Sequence, residues 1–421
     1  MNIARWIRPE VAWSLLLLSM AACASGSQPA MSRGRDIDSL PRITIAATQR
    51  FGSEQSPDTG FSVVGEVDVD REGQVYAADQ QDYRIRVYSP KGQLVRVIGQ
   101  RGDGPGEFRS PPLFGIVGDT VWTYDRSNHR LTLFERNGKV ISTAQVAQVE
   151  VPVPEVPSMK GVLGPVLMRP DGRFLSSIEG YLGGGPPQQG MPDTLRNPEV
   201  AWDASGHVVD TVAWYLAPHV PGQPAGYLTI GGQVYFVPSP PSDRPLRLLQ
   251  PDGQIVVDRH VAADAAVDSI SVTRTSFSGD TLYRRVYTYQ PVGYSAAVVD
   301  SVVLKASRPG VERAGPGGGG EAATPAEVER AVRAKMAFPA YQPPVQDALL
   351  GASGGVWLRR EDRGAETYEW VVLAPDGEAR GVVDLPRTVH PAWARGDRVL
   401  TVRKDSTGVP WVVEYQLGGD Q

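Results

Sequence analysis

Residues 64–99 read VGEVDVDREGQVYAADQQDYRIRVYSPKGQLVRVIG, and residues 114–143 read FGIVGDTVWTYDRSNHRLTLFERNGKVIST. The two stretches align without a gap, so that Asp79 falls on Asp125 and Gly92 falls on Gly138. A repeat of roughly 40–50 residues that is built from short strands is typical of the blades of a β-propeller.

Each copy contains short runs of β-branched residues that alternate with turn sequences. Glu72-Gly73, Pro90-Lys91-Gly92 and Asn137-Gly138 are hairpin turns, in which glycine adopts positive φ at little cost. A single four-stranded sheet cannot bury both of its faces, whereas radial stacking of such sheets buries each against its neighbours. The sequence therefore predicts an all-β propeller.

The first repeat also carries the pattern of a known family. Asp79, Arg84-Ile85, Val87-Tyr88 and Gly92, followed by residues 102–108 (GDGPGEF), resemble NHL-repeat propellers, and the whole chain resembles the six-bladed β-propeller lipoproteins of bacteria. The resemblance implies six blades. Weaker units at 162–216, 226–262, 266–304, 345–386 and 388–418 would give seven, unless residues 226–304 form one long irregular blade.

Two further elements are predicted around the ring. Residues 42–48 (RITIAAT) form a lone strand that we expect to complete the last blade, because an open ring would expose unpaired strand edges. Thr324, Pro325 and Glu327 form a capping-box sequence, which predicts a short helix at about 325–337. The preceding residues 306–323 are rich in Gly and Pro and are expected to form a loose loop. Residues 42–421 are thus predicted to form one propeller domain.

The N-terminus reads as a targeting segment. Residues 1–22 contain Arg5 and Arg8 followed by a short apolar stretch, and Ala21-Ala22-Cys23 resembles a bacterial lipoprotein cleavage site. We expect Cys23, the single cysteine of the chain, to carry lipid and to anchor the protein in the cell envelope, at the outer membrane. An ordinary secretory signal is the alternative. Residues 23–41 are expected to form a flexible tether.

Composition limits the classes of partner. The chain of 421 residues has 42 Lys and Arg, 47 Asp and Glu, and a net charge of −5. No basic face is evident, which argues against binding of nucleic acid.

Candidate catalytic and metal-binding motifs each have a structural explanation. Residues 351–355 (GASGG) match a nucleophile pattern around Ser353, but they lie between two predicted strands instead of before a helix. Asp68 and Asp70 resemble half of a calcium loop but offer few oxygens. None of the five histidines has a partner at metal-ligand spacing, and His129 occupies the position of Tyr83 in the preceding repeat.

We therefore predict no catalytic residue, no metal site and no cofactor. The Asp79/Arg84 and Asp125/Arg130 pairs recur at the same spacing, which indicates structural bonds at blade corners and not a binding rim. The predicted function is a monomeric, membrane-anchored propeller without enzymatic activity that binds an unidentified protein or small molecule on one of its faces. The alternative is a propeller hydrolase or lyase with a metal in the central pore.

Overall fold

The computed structural model describes residues 34–53, 59–146, 148–153, 156–178, 196–216, 226–230, 233–237, 245–264, 266–307, 324–336 and 338–418. Cys23, the predicted signal segment 1–22 and most of the predicted loop 306–323 lie outside these residues. No helix in the described part of the chain is both long and apolar enough to cross a membrane.

Six four-stranded antiparallel sheets form a β-propeller, and we number them blade 1 to blade 6 in chain order. Blade 1 consists of the strands Val64–Val69, Val75–Asp79, Arg84–Tyr88 and Leu94–Ile98. Blade 2 consists of Leu113–Val117, Thr120–Asp125, Arg130–Glu135 and Val140–Gln145. Blade 3 consists of Leu167–Met168, Phe174–Ser177, Arg196–Trp202 and Val208–Leu216. Blade 4 consists of Leu246–Gln250, Gly253–Asp258, Asp268–Ser276 and Thr281–Tyr289. Blade 5 consists of Val345–Leu350, Val356–Arg360, Thr367–Leu373 and Ala379–Pro386. Blade 6 consists of Val389–Arg395, Arg398–Lys404, Pro410–Leu417 and Ile45–Phe51.

The ring closes as the sequence predicts. The strand Ile45–Phe51 pairs antiparallel with Pro410–Leu417 and forms the outermost strand of blade 6, three residues later than the predicted Arg42–Thr48. The first strand of each blade is the innermost, since first strands of neighbouring blades contact one another around the ring. Six blades are confirmed.

The hydrophobic core is divided into layers between blades. Phe51, Val67 and Leu400 belong to a buried cluster that joins blade 6 to blade 1, and comparable clusters join blades 1 and 2, 2 and 3, 4 and 5, and 5 and 6. A blade packed on both sides buries both faces of its middle strands. This explains why all five residues of the strand Val75–Asp79 are buried.

The seven-blade alternative is excluded, because residues 226–262 and 266–304 do not form two blades. The region 226–304 contains one blade, as the six-blade prediction requires, but blade 4 spans 246–289 only. Gly226–Ile230 and Gln233–Val237 form a separate hairpin before it, and Ala296–Ser307 is an α-helix, which we call α1. A second added hairpin pairs Gln148–Val153 with Val156–Val162 between blades 2 and 3.

The second helix, α2, spans Pro325–Lys335 and confirms the prediction. The Thr324 side chain accepts a hydrogen bond from the Glu327 backbone N–H, and the Glu327 carboxylate accepts one from the Thr324 N–H, which completes the capping box. Val303 of α1 packs on Val328 and Val332 of α2, so the two helices share a small core.

The described part of the predicted tether, residues 34–41, packs on the ring and is not free of it. Arg35–Asp36 adds a short parallel strand to the outer edge of blade 4, and Ile37 is 2% exposed in the layer between blades 4 and 5. The Asp38 carboxylate accepts hydrogen bonds from the Arg360 guanidinium at 3.1 Å and from the Gln290 backbone N–H at 2.8 Å. Any tether therefore ends before residue 35.

Candidate functional site

The two faces of the ring differ in construction. In blades 1 to 5 the turns after the first and third strands lie on one face, which we call the turn face, and so does the turn after the first strand of blade 6. These turns are short, from two residues (118–119) to five (70–74). The opposite face, here called the loop face, holds the second-to-third turns and the connections between blades. Both added hairpins and both helices belong to connections on the loop face.

Polar side chains from the first strands of blades 5 and 6 meet where the central channel opens on the loop face. His390 is the second residue of the first strand of blade 6, and Asp347 is the third residue of the first strand of blade 5. The Arg359 guanidinium nitrogen Nε lies 3.9 Å from the Asp347 carboxylate, which is 62% exposed. These three residues form the centre of the candidate site, which we call the channel mouth.

The electrostatic surroundings keep His390 neutral at neutral pH. Burial lowers the pKa of its imidazole, and the positive charges of Arg359 and of Lys305 on α1 lower it further, whereas Asp347 opposes them. A neutral imidazole beside a carboxylate and a guanidinium can donate or accept hydrogen bonds to a polar ligand.

Arg359 is held in place by an aromatic side chain. Its guanidinium lies 4.7 Å from the ring centroid of Tyr368, and the Arg387 guanidinium lies at the same distance from that ring. Arg387 in turn pairs with Asp362 in the second-to-third turn of blade 5. Cation–π contacts of this kind contribute about 0.5–1 kcal/mol at exposed positions, so Tyr368 helps to fix the position of the Arg359 guanidinium.

Blades 1 and 2 add a carboxylate and a guanidinium to the same channel. Glu66 lies on the first strand of blade 1, where enclosure by the ring raises the pKa of its carboxyl and the charge of Arg126 opposes that rise. Arg126 lies in the second-to-third turn of blade 2, on the loop face. The channel mouth thus carries charges of both signs.

A second polar cluster joins blades 3 and 4. The Glu199 side chain is fully buried, accepts a hydrogen bond from the Ser177 hydroxyl at 2.9 Å, and lies 3.4 Å from the Arg247 guanidinium. Burial raises the pKa of Glu199, while Ser177 and Arg247 oppose the rise. The Arg247 guanidinium also lies 3.7 Å from the ring centroid of Tyr215. No histidine contacts Ser177 in the described part of the chain, and we interpret the cluster as a bond between blades.

The motifs singled out in the sequence serve turns and blade corners. Ser353 lies in the turn between the strands Val345–Leu350 and Val356–Arg360, which is not the strand–turn–helix context of a nucleophile. The Asp70 carboxylate accepts hydrogen bonds from the backbone N–H groups of Glu72 and Gln74 within its own hairpin.

The repeated aspartates are confirmed as corner residues. Asp79 accepts hydrogen bonds from the Ser62 and Gln81 backbone N–H groups at 2.7 and 3.0 Å. Asp125 accepts one from the Arg109 N–H at 2.7 Å in the same way. The arginine paired with Asp79 is Arg86, at 3.0 Å, and not Arg84 as the repeat pattern indicates.

His129 and Tyr83 occupy equivalent turns with the same unusual backbone. Their φ angles are 49° and 56°, in the left-handed region that non-glycine residues seldom adopt. His129 Nδ1 lies 3.2 Å from the Tyr124 hydroxyl. Within the described residues, no group of three or more His, Cys, Asp or Glu side chains could hold a metal ion.

Sequence reasoning missed the channel mouth. The residues that form it come from blades 1, 2, 5 and 6, so no local spacing connects them. The predicted units that start at residues 345 and 388 could have indicated the site. The first strand of each unit is the innermost strand of a blade, so a polar residue near its start lies close to the channel.

Comparison with known proteins does not show which family the chain belongs to. No family model and no curated protein matches the chain. Among solved structures, it is similar to a member of the DUF4221 family from Bacteroides vulgatus, with 9% identity, a TM-score of 0.38, and coverage of 90% of this chain and 99% of that one. It is also similar to virginiamycin B lyase from Staphylococcus aureus (12% identity, 89% and 100% coverage, TM-score 0.37). A third similar structure is the calcium-binding protein regucalcin from Agrobacterium tumefaciens, with 12% identity, a TM-score of 0.35, and coverage of 90% of this chain and 97% of that one. The propeller assignment rests on the sheet topology described above.

Proposed function

We propose that this protein is a non-enzymatic recognition propeller of the bacterial cell envelope, and that it binds its partner with the loop face. The observation that carries the proposal is the placement of both hairpins and both helices on that one face, whereas the turn face has turns of two to five residues. Binding residues in proteins concentrate on loops that a rigid scaffold positions.

The channel mouth defines the chemistry of the partner. Arg359, Arg126 and Lys305 supply positive charge there, while Asp347 and Glu66 supply negative charge. A mouth with charges of both signs favours a polar partner, such as a hydrophilic protein loop or a polar small molecule, over a purely apolar one.

We propose attachment to the outer membrane through lipid on Cys23. The support is the sequence Ala21-Ala22-Cys23 after a short apolar stretch. The chain then joins the ring at Arg35–Asp36, on the outer edge of blade 4. A lipid anchor at Cys23 would hold the ring by that edge and leave the channel mouth unobstructed.

An enzymatic alternative would use the same mouth. A hydrolase or lyase with a metal in the pore would draw ligands from His390 and Asp347, which lie on neighbouring first strands. Catalytic zinc sites use three protein ligands, and in the described part of the chain no three His, Cys, Asp or Glu side chains, Glu66 included, are grouped so that they could hold a metal ion. The recognition function is therefore the better supported of the two.

Site-specific photocrosslinking of the full-length protein in cells tests the proposal. A photoreactive phenylalanine would replace Val267 (65% exposed) or Val166 (52% exposed) on the loop face. The exposed Lys91 and His207 on the turn face provide the controls. We expect the same adduct from both loop-face positions and none from the controls. Adducts from the turn-face positions alone, or equally from both faces, would refute the assignment of the binding face.

A further inference from the structure

The exposed aliphatic side chains of this protein are concentrated on the outer strands of consecutive blades. Of the nine large hydrophobic residues that are exposed in the described part of the chain, six lie on the fourth strands of blades 1 to 4. In each of these blades the second residue of that strand is one of the six: Val95, Ile141, Val209 and Leu282 are 47%, 53%, 47% and 52% exposed. Single exposed aliphatic residues are ordinary on a protein surface, whereas a row that repeats from blade to blade indicates an interaction surface.

The row lies at one level of the ring. The fourth strands of blades 1 to 4 begin at the turn face, so their second residues lie on the outer edge of the ring beside that face. In blades 5 and 6 the corresponding residues are Arg380, which pairs with Asp397, and Ala46. The row therefore ends at blade 4. Its part on blades 1 to 3, together with the other exposed valines of the same strands, is here called the apolar edge: Val95, Val97, Ile141, Val208 and Val209.

Two lysines accompany the apolar edge. Lys91 and Lys139 lie in the turns that precede Val95 and Ile141, and both lysines are exposed. Lys91 has no ion-pair partner among the described residues, and Lys139 is 3.7 Å from the partly exposed Glu135 carboxylate. Aliphatic side chains next to flexible cationic ones are the combination with which proteins contact the surface of an anionic bilayer.

The charge of the turn face differs from blade to blade. In blades 1 and 2 the acidic turn residues Glu72 and Asp119 pair with Arg71 and Arg136, so they do not neutralise the two lysines. The turn-face turns of blades 4 and 5 contain no Lys or Arg. They contain four exposed acidic residues instead, two of which pair with arginines of blade 4: Asp252, Asp280, Asp376 and Glu378. An anionic surface should therefore attract the edge of blades 1 and 2 and repel that of blades 4 and 5.

The N-terminal segment joins the ring from the side of the turn face. Arg35–Asp36 runs parallel to the fourth strand of blade 4, opposite Tyr287 and Thr288, and that strand runs from the turn face to the loop face. The direction from Asp36 back to Arg35 therefore points toward the turn face. Cys23 precedes Gly34 by 11 positions, and a chain of that length spans at most about 36–40 Å. This reach allows an anchor at Cys23 to bring the turn face to a membrane.

We propose that the apolar edge, with Lys91 and Lys139, rests on the surface of an anionic lipid bilayer when the protein is anchored. The turn face then points to the membrane, and the channel mouth points away from it. The valine and isoleucine side chains enter the interface, and the lysines lie against the lipid phosphates. This orientation rests on the lipid anchor of the proposed function, and it explains how the loop face stays free for a partner.

Lysine footprinting on vesicles tests the orientation. Residues 23–421, the mature chain that the cleavage site predicts, include every described residue and a single cysteine, Cys23. That thiol is coupled to a maleimide lipid in phosphatidylcholine vesicles with about 30% phosphatidylglycerol, and the lysines are acetylated and quantified by mass spectrometry. We expect Lys91 and Lys139 to react at least about fivefold more slowly than in the uncoupled chain. Lys305 and Lys404, which are exposed on the loop face, should keep their rates.

A pair of double variants locates the contact. Val95→Ser with Ile141→Ser should restore most of the reactivity of Lys91 and Lys139 on anionic vesicles, because the aliphatic groups no longer enter the interface. Val166→Ser with Val267→Ser removes two equally exposed valines from the loop face and should change nothing. Vesicles of phosphatidylcholine alone should protect the two lysines less than the anionic vesicles do, because the electrostatic attraction is absent.

Three results would overturn the proposal: no protection of Lys91 and Lys139, equal protection of the loop-face lysines, or protection that persists in Val95→Ser with Ile141→Ser. Thermal melting shows that each variant is folded. If that double variant unfolds, Lys91→Gln at the exposed turn replaces it and should speed acetylation of Lys139. Because chemical coupling substitutes for acylation in cells, a negative result refutes only the orientation, whereas unchanged membrane recovery of Cys23→Ser refutes the anchor itself.

Discussion

The Asp68 carboxylate accepts a hydrogen bond of 3.0 Å from the Ile116 backbone N–H, and this bond joins the first strands of blades 1 and 2. Burial raises the pKa of Asp68 to about 6, although this hydrogen bond, one from the Val69 N–H, and the Arg395 charge all oppose the rise. The ring therefore holds a carboxylate whose ionisation costs free energy at neutral pH.

This carboxylate should give the protein a measurable dependence of stability on pH. Because its pKa is about 6 in the folded state and 3.8 for a fully solvated aspartate, the folded state binds more protons between these values. The contribution of Asp68 to the free energy of unfolding should fall by about 1–3 kcal/mol as the pH rises from about 4 to 6, and stay constant above that. Asp68→Asn should remove this fall in urea-denaturation curves, whereas Asp119→Asn, at an exposed turn, should keep it. Equal pH profiles for the parent and Asp68→Asn would contradict the assignment.

Closure of the ring by the N-terminal strand should be a major source of stability. A chain that begins at residue 53 lacks Ile45–Phe51 and the fully buried Phe51, and it leaves blade 6 with three strands. We expect a loss of several kcal/mol, a large part of the roughly 5–15 kcal/mol of a typical domain. Two chains serve as controls: one that begins at residue 34 should melt at the parent temperature, and one that begins at residue 45 keeps the closing strand while it lacks the segment packed on blades 4 and 5, so it separates the two effects. Equal melting of the chains that begin at residues 45 and 53 would show that closure does not depend on this strand.

The corner aspartate of blade 1 should be strongly coupled to its arginine. Asp79 is fully buried and Arg86 is 1% exposed, so Asp79→Ala would leave a buried cation that still contacts the Asp82 carboxylate. We expect a loss of about 3 kcal/mol in the free energy of unfolding, measured by chemical denaturation. Asp82→Asn changes a side chain that is 35% exposed and should cost about 1 kcal/mol or less. A similarly small loss for both variants would contradict the strong coupling between Asp79 and Arg86.

Removal of metal should leave the protein unchanged. His390 and Asp347 offer two ligands at the channel mouth, and the Asp70 carboxylate is already used by its own hairpin. EDTA should therefore not alter the melting temperature, because only a ligand bound to the native state would raise it. Near-stoichiometric zinc or calcium in the purified protein, together with a lower melting temperature in EDTA, would favour the pore-enzyme alternative. His390→Ala would then show whether the metal lies at the mouth.

The proposed lipid attachment depends on one residue, Cys23. Cys23→Ser should move the protein from the membrane fraction to the soluble fraction, because the variant cannot be acylated. Cell fractionation with immunoblotting measures this, and unchanged recovery in the membrane fraction would refute lipid attachment at Cys23.

The repeat, its turns and the closing strand could be predicted from the sequence because their signals are local. Alternating β-branched residues specify strands, glycines such as Gly73 and Gly138 supply the positive φ of the turns, and Thr324 with Glu327 encodes the start of α2. Helix α1 was missed because its sequence, AAVVDSVVLKAS, is rich in valine, which favours strands. Its contact with α2 through Val303 outweighs that preference.

The sequence by itself determined that the chain forms a propeller, where its blades turn, and that the last blade needs a strand from the N-terminal region. Only the tertiary structure decided which charges meet. It paired Asp79 with Arg86 instead of Arg84, and it brought Asp347 and Arg359 beside His390. The physical reason is that a backbone conformation depends on near neighbours in the chain. The contacts of a charged side chain in a ring depend instead on the neighbouring blade, whose residues can be far away in sequence.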